Sequence, residues 1–141
     1  MKSFATSALI HSTPEAIWAI LTDARRWPEW NRTVDRVDGE IALGEKITVH
    51  TKISPGRAFP LKVREFVPGR RMVWSGGMPL GLFKGERVFT LSPRSDGSVE
   101  FVMREEFTGP LAPLIARSIP DLQPSFDEVA AALKHRAEQA N

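Results

Sequence analysis

Between residues 33 and 107 the chain is cut into short extended runs by Gly39, Gly44, Pro55-Gly56, Pro68-Gly69, Gly76-Gly77 and Asp96-Gly97, all of them strong turn signals. Connections this short join only antiparallel neighbours, because a parallel pair needs a crossover of a dozen residues or more. The spacing predicts strands over 2–11, 33–40, 45–53, 58–67, 70–76, 84–93 and 97–107. Beyond Gly109 the period changes. Leu122, Phe126, Val129, Leu133 and Ala137 recur every three or four residues and mark one apolar stripe on a closing helix. Pro110, Pro113, Pro120 and Pro124 crowd its approach, so a break falls between Ile115 and Pro124. The pattern is α+β, an antiparallel sheet of about seven strands with a long C-terminal helix.

Residues 12–31, STPEAIWAILTDARRWPEWN, interrupt the extended runs with helix. Thr13 is an N-cap, Pro14 suits the first helical position, and Ile17, Trp18, Ile20 and Leu21 form an apolar face. Asp23 is expected to cap a second short turn carrying Trp27. Pro28 should push Trp27 out of the α region and end the helix there, with the chain extended near Trp30 and Asn31. Two tryptophans this close suggest a cavity wall.

The ordered set of "TPEAIWAILTD", "WPEWN", Val63 and Glu65 before "PGRRMVWSG", "GERVFTL", "EEFTG" and "ALKHRAE" resembles the SRPBCC superfamily, in particular its polyketide cyclase/dehydrase and lipid-transport-like branch. The resemblance spans nearly all 141 residues and implies a single domain, residues 1–141. It also implies a helix-grip fold, with a curved sheet wrapped around the last helix, two short helices after the first strand, and an interior cavity. Members often carry His where Arg87 stands.

Strand parity assigns the faces. Val99, Phe101, Met103, Glu105 and Phe107 share the inward side of the last strand, which places an acid on an apolar face. Arg87, Phe89 and Leu91 share a face of the strand before it. A turn centred on Ser95 sets Arg87 opposite Met103 and makes Glu105 its diagonal neighbour, the natural partner for a buried charge. Trp74, with Met72 and Gly76, points into the same interior, and Trp30 approaches from the other side. The expected core contains Trp18, Val63, Trp74, Phe89, Phe101, Phe126, Val129 and Leu133. Residues 76–85, GGMPLGLFKG, bring Met78, Leu80, Leu82 and Phe83 to the cavity mouth or to a sheet edge, as a gate, as a membrane or partner contact, or as a simple cover. Glu86 follows Gly85 where a phosphate-binding loop requires Lys.

These positions define the candidate ligand site: Trp30, Trp74, Met78, Leu80, Phe83, Arg87, Phe89, Phe101, Met103, Glu105 and Phe126. Glu105 and Arg87 are also the catalytic candidates. No metal or cofactor is expected, since His11, His50 and His135 are scattered and only His135-x-x-Glu138 has ligand-like spacing. A Gly-x-Ser-x-Gly elbow is absent. With 19 basic and 17 acidic residues the net charge is only +2, and the basic residues are not interleaved with aromatics, which argues against nucleic acid as a partner. There is no cysteine, and no apolar run approaches membrane-spanning length, so the reading is of a soluble, cytoplasmic protein without stable membrane insertion. A homodimer is compatible with the sequence. The first functional reading is a binder of a hydrophobic small-molecule ligand, apolar or amphipathic, such as a lipid, polyketide or isoprenoid. A polyketide cyclase or dehydratase using Glu105 and Arg87 is the alternative, and a protein-interaction module of the co-chaperone-activator or coenzyme-Q-associated kind is the third reading.

Overall fold

The computed structural model describes residues 3–52 and 58–139. The Pro55-Gly56 turn and the last residue of the strand expected over 45–53 lie outside the described residues. The chain runs β1 (Ser3–Ile10), α1 (Pro14–Thr22), α2 (Trp27–Trp30), β2 (Val34–Asp38), β3 (Lys46–Thr51), β4 (Ala58–Val67), β5 (Arg71–Gly77), β6 (Lys84–Pro93), β7 (Val99–Thr108), α3 (Ala112–Ile115) and α4 (Gln123–Gln139). Short 3₁₀ turns stand before α2, between β5 and β6, and after α3. One seven-stranded antiparallel sheet holds the order β1-β7-β6-β5-β4-β3-β2. From β2 onward it is a simple meander. The helical segment carries the chain from β1 at one edge to β2 at the other, and α4 closes the structure. This is the helix-grip arrangement.

Thr13 caps α1 as its sequence demands, its hydroxyl accepting from Ala16 N–H at 3.1 Å. The next turn differs from expectation. Asp23 makes no side-chain cap bond and instead pairs with Arg26 at 3.7 Å. Trp27 is helical, with φ −52° and ψ −43°, and it opens α2 rather than ending a helix. Pro28 then sits in the first turn, where its missing N–H is not needed. Trp27 N–H bonds back to Ala24 and Asn31 N–H bonds to Trp27, and the chain turns extended at Asn31. Burial of the Trp27 indole to 1% exposure offsets the pre-proline preference.

Phe126, Val129, Ala130, Leu133 and Ala137 bury the inner stripe of α4 against the sheet. The same helix caps the edge of β1. Gln123 Nε2 donates to Ala5 O at 2.7 Å and Lys134 Nζ to Leu9 O at 2.6 Å. Asp127 accepts from the Thr6 hydroxyl at 2.9 Å, and Glu138 accepts from His11 N–H at 2.9 Å. Edge carbonyls that would otherwise invite a foreign strand are thereby occupied. The His11 N–H, helped by Lys134, holds the Glu138 carboxyl below its ordinary range. All eight expected core residues are buried. No helix among the described residues is long and apolar enough to cross a membrane.

Candidate functional site

Inward-facing residues line up across the sheet in rows. Val63 of β4, Trp74 of β5, Arg87 of β6, Glu105 of β7 and Phe4 of β1 form one row, each directly opposite the next. Met72, Phe89, Met103 and Thr6 form the adjacent row. The inward parity of β7 is as expected, with Phe101 and Met103 fully buried while Arg104 and Glu106 face solvent.

The register of β6 on β7 corrects the sequence reading. Arg87 stands opposite Glu105, and Phe89, not Arg87, stands opposite Met103. The hairpin is centred on Asp96 instead of Ser95. Asp96 Oδ1 accepts from both Ser98 N–H at 3.0 Å and Ser98 Oγ at 2.6 Å, and Gly97 takes φ +88°. Those bonds hold the Asp96 carboxyl below its ordinary pKa. Only glycine adopts that backbone without strain, so Gly97 sets where the turn closes.

Arg87 Nε–H donates to Glu105 Oε1 at 2.6 Å. The two side chains keep 23% and 14% exposure, so the pair is sheltered but reachable. The guanidinium carbon lies 4.9 Å from the Phe126 ring centre, a cation–π contact that fixes Arg87 against α4. Phe126 also meets Phe4 at 5.8 Å, and Phe4 meets Phe107 at 6.5 Å. Glu105 therefore sits in an aromatic surround with Arg87 as its ion-pair partner.

Deeper in, Trp27 is the hub, with Trp30 at 5.0 Å, Trp74 at 5.4 Å and Phe89 at 6.5 Å between ring centres. Trp74 meets Phe89 at 4.7 Å. Trp30, Trp74 and Phe89 are thus brought together, and Trp27, absent from the sequence-derived site, joins them. A helical reading of 24–30 places Trp27 and Trp30 three residues apart on one face, the signal that would have found it.

Toward the β5–β6 connection, Phe83 stacks on Phe107 at 5.7 Å. A Cβ at Gly85 would stand 3.2 Å from the Phe107 ring, so Gly85 clears the space this ring fills. Met78 and Leu80 lie apart from the interior at 42% and 95% exposure, and Leu80 takes φ +62°. The loop is tied to the start of the C-terminal segment by Leu111 N–H on Leu82 O at 2.9 Å.

Two surface grooves lie elsewhere. One, of about 340 Å³, crosses the outer sheet face among Arg71, Glu86, Arg104 and Glu106. The other, of about 390 Å³, runs between α2 and α4 over Ala131 and Ala132. Of the candidate ligand residues, Trp30 alone borders either groove. No group of three or more potential metal ligands exists among the described residues.

The sequence model of the family described as polyketide cyclase / dehydrase and lipid transport matches residues 1–138. No curated protein matches the sequence. Solved structures share the fold at low identity. A START superfamily protein from Mycobacterium smegmatis is 18% identical with TM-score 0.70, covering 99% of both chains. The Zhui aromatase/cyclase from Streptomyces sp. R1128 is 13% identical with TM-score 0.74, covering 98% of this chain and 94% of that one. The Aha1 dimer from Colwellia psychrerythraea is 18% identical with TM-score 0.72, covering 98% and 97%.

Proposed function

Since this chain belongs to the polyketide cyclase / dehydrase and lipid transport family of the SRPBCC superfamily, we propose that it is a cytoplasmic, single-domain binder of an apolar or amphipathic small molecule held against the concave face of the sheet. The observation that carries the reading is the Arg87–Glu105 pair, 2.6 Å apart and partly exposed in an otherwise aromatic surround. A structural core at this position would be served by apolar residues, because removing two charges from water is costly even when they pair. A sheltered but reachable pair offers unused guanidinium donors and a free carboxylate oxygen to the polar end of a ligand whose body packs on Phe4, Phe107 and Phe126. The exposed Met78 and Leu80 belong to the loop beside this end of the sheet.

The cyclase reading rests on the same pair, with Glu105 as the proton-transfer group. Native mass spectrometry of the protein purified from its own cells tests the proposal, and a retained apolar or amphipathic small molecule is the expected result. Turnover of a poly-carbonyl substrate that falls about 10²–10⁴-fold in Glu105→Gln would replace binding with catalysis. A chain that carries no small molecule and instead co-purifies stoichiometrically with one protein partner would overturn both.

A further inference from the structure

Among the described residues eight large apolar side chains are exposed, and four of them stand on two neighbouring segments outside the concave interior. Met78, Leu80 and Leu82 belong to the β5–β6 connection, and Leu114, 64% exposed, to α3. The two segments form one unit. Leu111 N–H donates to Leu82 O at 2.9 Å, and a Cβ at Gly109 would stand 2.6 Å from the Leu82 carbonyl oxygen and 2.7 Å from that of Gly81. Single exposed apolar residues are ordinary on a protein surface, whereas a cluster marks an interaction site. Leu80 adds a second sign, because its left-handed φ of +62° is strained for a leucine and yet presents the side chain at 95% exposure.

Charge narrows what covers this tip. Residues 76–85 and 109–119 contain no carboxylate, and their only charged side chains are Lys84 and Arg117. A second copy of the chain would set these cations against each other, so an anionic surface is the better match. Lys84 pairs with Glu86 at 3.1 Å, which leaves the exposed Arg117 to carry the preference. The backbone then separates lipid from protein. Met78 N–H donates to Phe83 O at 2.8 Å, and the N–H groups of Leu114 and Ile115 donate to Leu111 O at 3.1 and 2.9 Å. Pro79, Pro110 and Pro113 have no N–H to satisfy. Backbone whose donors are met internally can leave water for an apolar interface. The two segments also contain no Trp or Tyr, the residues that anchor protein interfaces, and Phe83 is already stacked on Phe107.

We propose that this tip docks peripherally on an anionic bilayer surface, with Met78, Leu80 and Leu114 entering the interface and Arg117 against the lipid phosphates. The docking goes beyond the interior-binding reading and requires no ligand on the concave face.

Sedimentation of the full chain with vesicles of phosphatidylcholine plus phosphatidylglycerol, compared with phosphatidylcholine alone, tests this. Partition to the anionic vesicles should be about five- to tenfold stronger, the effect of one or two cations at the surface. Leu80→Gly keeps the left-handed backbone without strain and removes the inserted side chain, so partition should fall at least about tenfold in a protein that folds as well as wild type. Arg117→Gln should remove most of the anionic preference and leave partition to the neutral vesicles unchanged. Equal partition of the wild type to both vesicles, sedimentation with neither, or a Leu80→Gly variant that partitions like wild type overturns the proposal. So does a homodimer or a stoichiometric protein complex that is lost in Leu80→Gly, since the tip is then covered by protein. None of these results bears on a small molecule retained in the interior, which native mass spectrometry reads separately.

Discussion

Replacing Glu105 by Gln removes one charge from a partly buried pair and changes little else. The carboxamide oxygen still accepts from Arg87 Nε–H, and the side chain keeps its length. Exposed ion pairs contribute about 0.2–1 kcal/mol, and removing one partner of a fully buried pair costs about 3–5 kcal/mol. With 14% and 23% exposure the Glu105–Arg87 pair lies between these limits, and a loss of about 2 kcal/mol follows. Spread over 141 residues at about 2.1 cal/mol/K each, this lowers the melting temperature by about 7 °C. Arg87→Met leaves the carboxylate among Phe4 and Phe107 and should cost a similar amount. The double variant Arg87→Met/Glu105→Leu removes both charges and fills the space with apolar volume, so it should melt close to wild type. Calorimetry at pH 7 in dilute buffer measures all three. The shift should change little with added salt, since a sheltered pair is screened less than a surface one. A Glu105→Gln melting point within a degree of wild type, or losses that simply add in the double variant, would refute the claim that these charges depend on each other.

Leu133, fully buried on the inner stripe of α4, should cost about 3–4 kcal/mol as Leu133→Ala in urea unfolding, and a loss under about 1 kcal/mol would mean that the closing helix does not grip the sheet. Leu80 takes φ +62° at 95% exposure, so Leu80→Gly should raise stability by about 1 kcal/mol through relief of left-handed strain, read as a higher urea midpoint. Glu138 titrates below its ordinary 4.5 in the folded state. Its contribution is therefore fully present above that value and is lost as pH falls through the lowered one. Glu138→Gln should accordingly be less stable than wild type at pH 7, and the two proteins should converge in melting temperature on acidification; a constant gap down to pH 3 would contradict the latch between α4 and His11.

Much of the fold was legible because its signals are local. Turn residues divide the strands wherever the chain can be described, and period-two alternation names the inward face of β7 without any knowledge of its neighbours. Two of the misreadings share a cause, which is that a local preference was outweighed by contacts from elsewhere. At Trp27 the pre-proline restriction predicted an exit from helix, yet the ring gains contacts with Trp30, Trp74 and Phe89 only if the backbone stays helical. At the β6–β7 turn the sequence reading centred the hairpin on Ser95, and two bonds from Ser98 to the Asp96 carboxylate centre it on Asp96 instead. Moving a hairpin centre by one residue moves every cross-strand partner by two. Two is the side-chain period of a strand, so the face assignment survived and only the pairing changed. Arg87 and Glu105 thus fell on the correct face from parity alone. Their closeness followed from the hairpin centre, which replaced a diagonal approach with a directly opposed pair at 2.6 Å. The composition of such a site is readable from alternation, while its chemistry depends on which turn residue wins. A substitution at Asp96 should therefore disturb the Arg87–Glu105 pair through register, from the far end of the same hairpin.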